Sequence, residues 1–229
     1  MPTVTMEAET ENVTPISTVE TGVIRRKKIY FAVKRVFDFV CATLGLIILS
    51  PVLAVIAILI KAEDGGPVIH TRMCRGEKGL YKMYKFRSMC VDADALDRYF
   101  TPEEMEQFQR EQKIKDDPRI TKVGRVLRKC SLDELPQLLS VLKGDMSLIG
   151  PRPLIDEELA NYADQQSRIL SVKPGITGYW QVNGRSERNY ESGERQKLEL
   201  YYVEHCSVWL DLSILFKTVS VIVQRRGAQ

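Results

Sequence analysis

The feature that most constrains this chain is a run of 22 consecutive residues, 39–60, without a charged side chain. A helix needs about 20 apolar residues to cross the hydrocarbon core of a bilayer. Core helices of soluble proteins rarely run this long without a charge. We therefore interpret the run as a membrane segment rather than a buried core helix. The mean hydropathy of the whole chain, −0.18, excludes a polytopic membrane protein.

Ser50 and Pro51 lie in the middle of this run. A proline inside a helix leaves a preceding carbonyl without its donor, which we place at Leu46, and Ser50 could satisfy that carbonyl. Basic residues flank both ends of the run: residues 25–28, Lys34 and Arg35 before it, and Lys61, Arg72, Arg75 and Lys78 after it. The positive-inside rule places both flanks in the cytoplasm. We therefore expect a re-entrant helix–break–helix, with a kinked spanning helix as the alternative.

The charges divide the chain into three parts. Residues 1–22 hold four Glu and no Lys or Arg, so they carry −4 and the remainder of the chain carries +7 within a net charge of +3. This stretch has no helical or strand period, which predicts a disordered acidic tail over residues 1–24. A basic flank and re-entrant helix are expected over 25–64, and a cytosolic domain over 65–229. An acidic start excludes a signal peptide, and five cysteines without a CxxC pair favour reduced thiols.

The sequence patterns after the apolar run predict an α+β fold that is mostly helical, in a monotopic membrane protein. Two β-prone stretches, 68–74 and 80–86, surround a glycine turn and predict a small β-hairpin. Residues 131–134 match a helix capping box before an apolar helix at 135–142. Residues 207–224 are mostly apolar and predict either an interfacial amphipathic helix on the membrane surface or a core helix.

The acidic pair Asp133 and Glu134 has two interpretations. Acidic residues in a first helical turn are ordinary capping chemistry. Alternatively, an ionised Asp could attack phosphorus, and an adjacent carboxylate could hold Mg²⁺. In that case Arg128 and Arg152 could clamp phosphate oxygens with their planar guanidinium groups.

Four strings together resemble the bacterial sugar transferase family, the monotopic phosphoglycosyl transferases that begin the assembly of O-antigen, capsule, exopolysaccharide or glycoprotein glycans. They are KFRSM at 85–89, LRKCSLDELPQ at 127–137, KGDMSLIGPRP at 143–153 and KPGITGYWQVNGR at 173–185. The resemblance covers roughly residues 30–225. Longer members carry four further membrane helices and another module before this domain. We therefore expect this chain to be a minimal catalytic form.

The resemblance implies an activity and a set of roles. It implies transfer of a sugar 1-phosphate from a UDP-sugar to polyprenyl (undecaprenyl) phosphate, with release of UMP, a Mg²⁺ requirement and a covalent aspartyl intermediate. Asp133 falls on the family's nucleophile and Glu134 on its metal-associated partner. Arg128 and Arg152 fall on positions that hold phosphate. Ser50 and Pro51 fall on the family's helix break, which agrees with the re-entrant interpretation.

Four further residues follow from the same motifs. Lys85 and Arg87 are expected to bind phosphate, although a basic strand edge that meets anionic lipid would also explain them. Asn183 and Arg185 are expected in a nucleotide or substrate loop, although turn structure alone would also explain them.

The family implies a bacterial inner-membrane location with the catalytic domain on the cytoplasmic face. A membrane-anchored Mg²⁺-dependent phosphohydrolase and a non-catalytic membrane scaffold remain alternatives. A nucleic-acid partner is not expected, because the basic residues cluster beside a membrane segment and no nucleic-acid-binding motif is present. An oligomer is possible, but neither the oligomeric state nor the transferred sugar is readable from the sequence.

Overall fold

The structure, a computed structural model, describes residues 28–111, 114, 116–184 and 192–223; the acidic tail therefore lies outside the described residues. The elements in chain order are α1 (Lys28–Asp64), β1 (Ile69–Gly76), β2 (Gly79–Phe86), α2 (Leu96–Tyr99), α3 (Pro102–Glu111), α4 (Lys122–Lys129), α5 (Gln137–Lys143), β3 (Ser147–Ile149), α6 (Asp156–Leu159), α7 (Gln166–Ile169), β4 (Gly175–Thr177), α8 (Tyr179–Gly184), α9 (Glu194–His205) and α10 (Val208–Val223). Short 3-10 helices occupy Leu132–Glu134 and Ala160–Gln165. The mostly helical fold with a small antiparallel hairpin is confirmed.

Helix α1 is continuous and passes through Pro51 without interruption. Ser50 compensates for the missing proline N–H, because its Oγ donates to the carbonyl of Ile47 at 2.8 Å. That carbonyl lies four residues before Pro51, so the placement of the freed carbonyl at Leu46 was wrong. Within the described residues α1 is the one helix that is long and apolar enough to cross a membrane. The entry and exit of its two halves on one membrane face stays a prediction.

Both ends of α1 contact the same globular body. Near its start, Arg35 donates to two carbonyls of α5 at 2.6 and 2.8 Å, and Asp38 accepts from the N–H of Leu148 at 3.0 Å. Near its end, Glu63 accepts from the first two N–H groups of α4 at 2.8 and 3.2 Å. From Arg35 to Glu63 the helix rises about 42 Å, so α1 lies along the body.

The opposite face of α1 is uncovered. It exposes Val33, Val36, Phe37, Val40, Leu44, Ile47, Ile48, Val55, Ile58 and Leu59. An apolar surface of this length is unusual on a soluble monomer. This face therefore indicates that the protein associates with a membrane.

The hairpin predicted at 68–86 is confirmed as the antiparallel pair β1 and β2. Side chains alternate between two faces along a strand, so Tyr81, Met83 and Lys85 share one face of β2. Tyr81 and Met83 are buried in a core to which α1 and α5 also contribute. Lys85 continues this inner face to the open end of the hairpin, where the apolar core gives way to charged groups.

A close backbone approach sets α4 against the residues that follow β2. A Cβ at Gly124 would lie 2.0 Å from the carbonyl oxygen of Ser88, so this position requires glycine. Thr121 caps the helix by accepting from the N–H of Gly124 at 2.9 Å. Leu127 is buried against Phe86 in a second core. This packing fixes the last turn of α4, which carries Arg128.

Helix α10 packs as the core-helix interpretation of residues 207–224 predicts, and its position on a membrane surface stays a prediction. Its inner face is buried, with Asp211 accepting from Tyr30, Lys34 and Tyr202 at 2.7 to 2.8 Å. Its outer face exposes Trp209 at 82% and Phe216 at 73%. These two residues are seven apart and therefore share one helix face. The helix thus packs on the core and presents an aromatic surface outwards.

Candidate active site

The acidic pair lies in the 3-10 helix that joins α4 to α5, and the capping-box interpretation is wrong. Ser131 has left-handed backbone angles (φ 54°, ψ 25°) and makes no side-chain capping bond. An N-cap residue normally has extended backbone angles. Helix α5 begins only at Gln137. Ser131 therefore does not form a capping box with Glu134, and helix capping by Ser131 does not explain the position of either acidic residue.

Glu134 forms an ion pair with Lys85, with Nζ and Oε1 2.9 Å apart. Both side chains are about three-quarters buried. The strand alternation that buries Tyr81 and Met83 also directs Lys85 to this side of the hairpin. The structure thus places Lys85 beside the acidic pair, and its predicted role in binding phosphate stays a prediction.

Asp133 lies in an environment that opposes its charge. Burial raises the pKa of its carboxyl, and the neighbouring Glu134 raises it further. The positive charges of Lys85 and Arg128 lower the pKa again. The carboxylate thus depends on these two cations to remain ionised, which is the form that attacks an electrophile.

Arg128 reaches the acidic pair from the end of α4. Its Nε donates to Ser88 Oγ at 2.9 Å, which leaves the two terminal guanidinium nitrogens for other acceptors. Sequence reasoning did not identify Ser88, although it follows Arg87 in the KFRSM string. Because the half-buried Arg128 is held at Nε, its remaining donors are pre-oriented for an anion with two acceptor oxygens, such as phosphate.

The structure places Arg87 differently from Lys85. Arg87 lies just beyond β2 and is buried, with both terminal nitrogens donating to Asp64 at the end of α1. The same guanidinium donates to the carbonyl oxygens of Pro67 at 2.6 Å and Met89 at 2.9 Å. Its donors are therefore committed to joining the helix end to the hairpin. A phosphate-binding role for Arg87 stays a prediction.

Arg152 lies in the Pro-Arg-Pro loop, which β1 holds through the N–H of Arg75 and the carbonyl of Leu154 at 2.8 Å. The backbone N–H of Arg152 donates to the carboxylate of Glu199 at 3.2 to 3.3 Å. The side-chain Nε of Arg152 is buried and has no hydrogen-bond partner in the described part of the chain. A phosphate-binding role for Arg152 stays a prediction.

Glu199 is a residue that sequence reasoning missed. It is fully buried on the inner face of α9, and burial raises its pKa to about 7 despite the neighbouring charge of Arg195. Arg195 in turn lies over the ring of Trp180, with 4.4 Å between guanidinium carbon and ring centroid. The available signal was spacing, because Glu199 lies four residues after Arg195 and three before Tyr202, on the face that α9 buries.

Asn183 lies in α8 and is held at both ends of its amide. Its Nδ2 donates to the carbonyl of Tyr179 at 2.8 Å, and its Oδ1 accepts from Lys217 at 2.9 Å. These contacts stabilise α8 and join it to α10, and a substrate-loop role for Asn183 stays a prediction. Arg185 lies outside the described residues.

The acidic pair suits a magnesium ion that arrives with its substrate. The described residues contain no cluster of three or more His, Cys, Asp or Glu side chains that could enclose a metal. Mg²⁺ is commonly held by one or two carboxylates together with substrate phosphates and waters. Asp133 and Glu134 supply two adjacent carboxylates of this kind, so the residues fit a metal shared with a diphosphate.

Comparison with known proteins shows the family. The profile of the bacterial sugar transferase family matches residues 29–225. The undecaprenyl-phosphate galactose phosphotransferase of Salmonella typhimurium is 44% identical over 199 residues, which cover 85% of this chain and 41% of that protein. The exopolysaccharide production protein ExoY of Sinorhizobium fredii is 41% identical over 213 residues, covering 91% of this chain and 92% of that protein.

A third relative is named for a different sugar from that of the Salmonella protein. The UDP-N-acetylgalactosamine-undecaprenyl-phosphate N-acetylgalactosaminephosphotransferase of Aeromonas hydrophila is 36% identical over 218 residues, covering 91% of this chain and 48% of that protein. The chain thus spans less than half of the Salmonella and Aeromonas relatives and most of the rhizobial one. The region that the family profile matches includes the acidic pair and the described site residues. This chain belongs to the bacterial sugar transferase family.

Proposed function

We propose that this protein transfers a sugar 1-phosphate from a UDP-sugar to polyprenyl phosphate and releases UMP. The observation that carries the proposal is the placement of Asp133. Its half-buried carboxylate has no capping role with Ser131, lies beside Glu134 and is influenced by Lys85 and Arg128. Relatives named for undecaprenyl-phosphate sugar transfer support the same reaction.

The reaction proceeds in two displacements. In the first, a carboxylate oxygen of Asp133 bonds to the β-phosphorus of the donor while the bond from that phosphorus to the bridging oxygen breaks. UMP leaves with the bridging oxygen and its electron pair. In the second, a phosphate oxygen of the lipid bonds to the same phosphorus. The acyl-phosphate bond breaks, Asp133 regains its carboxylate, and the product is a polyprenyl diphosphate sugar.

The neighbouring cations stabilise both steps. Lys85 and Arg128 keep Asp133 ionised for attack and offset the negative charge of the transferring phosphoryl group. Arg152 supplies a further guanidinium from the Pro-Arg-Pro loop. Bound Mg²⁺, held by Glu134 with Asp133 beside it, would neutralise diphosphate charge and assist the departure of UMP. Removal of Mg²⁺ with a chelator is expected to abolish UMP release.

The membrane arrangement is part of the proposal. The uncovered apolar face of α1 and the exposed Trp209 and Phe216 of α10 would rest in one leaflet of the bacterial inner membrane. Because Arg35 and Glu63 contact the same body, a perpendicular α1 would have to place that body on both sides of a core about 30 Å thick. We therefore favour entry and exit on the cytoplasmic face, with the catalytic body there.

The covalent step has a direct test. Wild-type protein incubated with a UDP-sugar and Mg²⁺ in the absence of lipid should gain one sugar-phosphate mass on the peptide that contains Asp133. Asp133→Asn should give no adduct and should lower UMP release more than about 10³-fold. The control is Asp94→Asn, which removes an exposed carboxylate and should form the adduct normally. An adduct on Asp133→Asn, or near-normal turnover, would disprove the nucleophile assignment.

The acceptor distinguishes the transferase from a phosphohydrolase. With polyprenyl phosphate present, radiolabelled sugar phosphate should move into the lipid fraction in proportion to the UMP released. A hydrolase would instead release UMP continuously without lipid and leave the label in water. A scaffold would show neither reaction, and Asp133→Asn would not change its behaviour.

The membrane arrangement has a separate test. Lys28→Cys and Asp94→Cys would be placed singly in a chain whose five native cysteines are replaced by alanine. A membrane-impermeant maleimide added to inside-out inner-membrane vesicles should label both positions, and added to intact spheroplasts it should label neither. Labelling of the two positions from opposite sides would contradict the re-entrant arrangement while leaving the proposed reaction untouched.

A further inference from the structure

A cavity of about 410 Å³ lies at the start of α1, between that helix, the hairpin turn and the segment before β4. Apolar side chains, among them Phe31 and Val172, form part of its wall. Its charged lining includes Lys28, Arg35, Lys78 and Lys173, with Asp38 and Glu77 as the acidic members. Cations therefore outnumber carboxylates in this lining.

The cavity is distinct from the acidic-pair site. Lys78 lies in the hairpin turn, whereas Lys85 lies seven residues further along β2, next to the open end. At the rise of an extended strand this separates the two lysines by about 23 Å. The reaction proposed for Asp133 therefore does not use these residues.

The cations of the cavity are incompletely balanced. Arg35 donates to the neutral carbonyls of Val141 and Leu142, which orient its guanidinium without cancelling its charge. Asp38 is already bound to the N–H of Leu148 at 3.0 Å. Lys173 is partly buried, and the structure gives its Nζ no hydrogen bond or ion pair with any described residue.

The pKa of Lys173 agrees with the excess of cations over carboxylates in the cavity lining. Burial lowers the pKa of Lys173, the charge of Arg35 lowers it further, and Lys78 acts in the same direction. Glu77 and Asp38 oppose these effects without cancelling them. Two or more cations are thus held together beside an apolar wall, where a bound anion would relieve their repulsion.

We propose that this cavity is a second anion site, which binds the phosphate group of a phosphate ester. Lys78, Lys173 and Arg35 would face the phosphate, and the apolar wall would contact a small organic group attached to it. The volume of about 410 Å³ exceeds that of a bare phosphate and leaves room for a small organic group attached to it. The ester could be a glycerophospholipid headgroup at the membrane surface or a soluble phosphate ester; the recognition chemistry is the same.

The test uses the full chain in neutral detergent and two matched pairs of probes. Glycerol 1-phosphate is compared with glycerol, and dihexanoyl phosphatidylglycerol with dihexanoyl phosphatidylcholine, by calorimetric titration. The wild type should bind one anionic probe at this site and neither control probe there. The double variant Lys78→Gln with Lys173→Gln should weaken that binding about tenfold or more. The matched control, Lys82→Gln with Lys122→Gln, removes two exposed lysines elsewhere and should change affinity less than about twofold.

The outcomes distinguish a lipid headgroup from a soluble ester as the ligand, and they include the results that would overturn the proposal. Binding of the phosphatidylglycerol alone assigns a lipid headgroup, and binding of glycerol 1-phosphate assigns a soluble ester. Binding of neither, binding unchanged in the double variant, or equal loss in the control pair would overturn the proposal. Should the double variant fail to fold, Lys78→Gln alone, at an exposed turn position, should still weaken binding about threefold. None of these measurements depends on turnover, so the proposed reaction is tested separately.

Discussion

Lys85 and Arg87 lie two residues apart in one motif, yet the structure gives them different surroundings. Lys85 ends the inner face of β2, pairs with Glu134 and lowers the pKa of Asp133. Arg87 lies just past the strand, and its guanidinium donates to Asp64 and to two backbone carbonyls. Lys85 lies beside Asp133, a carboxylate whose charge burial opposes. Arg87 is instead surrounded by protein acceptors that take up its donors. Residue type and motif membership did not distinguish them.

The two sets of surroundings separate a charged side chain that contributes to stability from one that contributes to chemistry. A buried cation with a full set of protein acceptors cannot be removed without leaving those acceptors unpaired. The Lys85–Glu134 pair, whose side chains are about a quarter exposed, contributes less to folding, and Lys85 also lies beside Asp133, where its charge can act on a substrate. We therefore expect substitutions at the two positions to separate activity from stability.

Among the substitutions that test this comparison, Lys85→Met is expected to have the largest effect. The specificity constant kcat/KM for UMP release should fall about 100-fold, which corresponds to about 3 kcal/mol of transition-state stabilisation. The thermal unfolding midpoint should fall by less than about 4 °C, because the ion pair that is lost is worth about 1 kcal/mol and Glu134 keeps some contact with water. The two measurements are made on the same preparation.

The pH profile shows whether Lys85 acts through Asp133. Lys85 lowers the pKa of Asp133, so its loss should keep the carboxyl protonated to higher pH and move the acidic limb of kcat/KM upwards. Lys85→Arg retains a charge and should move the limb less. An unmoved limb together with a large fall in the unfolding midpoint would assign Lys85 a structural role instead.

An intermediate effect is expected from Arg87→Met. The free energy of unfolding should fall by about 2 kcal/mol, because Asp64 and two carbonyls lose their donors while Asp64 keeps some solvent contact. The thermal midpoint should drop by about 5 °C. The protein that remains folded should keep kcat/KM within about tenfold of the wild type.

The matched control for Arg87 is Arg98→Met. Arg98 also pairs with an aspartate, Asp92, but its side chain is largely exposed, so stability should hardly change. A loss of activity in Arg87→Met that far exceeds its loss of stability would instead place Arg87 at the phosphate, as the sequence alone predicted.

The smallest effect is expected from Glu199, under the Arg152 loop. Burial raises its pKa to about 7 from the usual 4.5, so the folded state keeps a proton that the unfolded state has released. Stability should therefore fall as pH rises towards and through about 7, by about 1 kcal/mol between pH 6 and pH 8. In Glu199→Gln this part of the pH dependence should disappear from the unfolding midpoint. A wild-type and variant difference that stays constant across this range would contradict the assignment.

Several parts of the fold and site followed from local patterns. Alternation on both sides of a glycine turn predicted the hairpin, and the uncharged run predicted a long apolar helix. The motifs identified the family, and the roles that they imply for Asp133, Glu134 and Arg128 stay predictions. The predictions of the hairpin, the long helix and the family succeeded because each depends on residues that are neighbours along the chain.

The failures have a shared cause. The capping box at Ser131 fitted the local spacing, but the left-handed turn there left Asp133 and Glu134 for other partners. Glu199 was missed because a buried carboxylate becomes visible only when its helix is packed. In both cases a side chain's partner lies far away in sequence.

By itself, the sequence determined which chemistry is available: an acidic pair, arginines able to clamp phosphate and an apolar helix. Periodicity and composition encode local structure and burial, so these features are readable without coordinates. The tertiary structure alone decided which charges meet. Glu134 faces Lys85 across 49 residues, and Arg87 turns to Asp64 across 23. Long-range packing sets such pairings, because only the folded chain fixes which partner reaches a charge that is taken out of water.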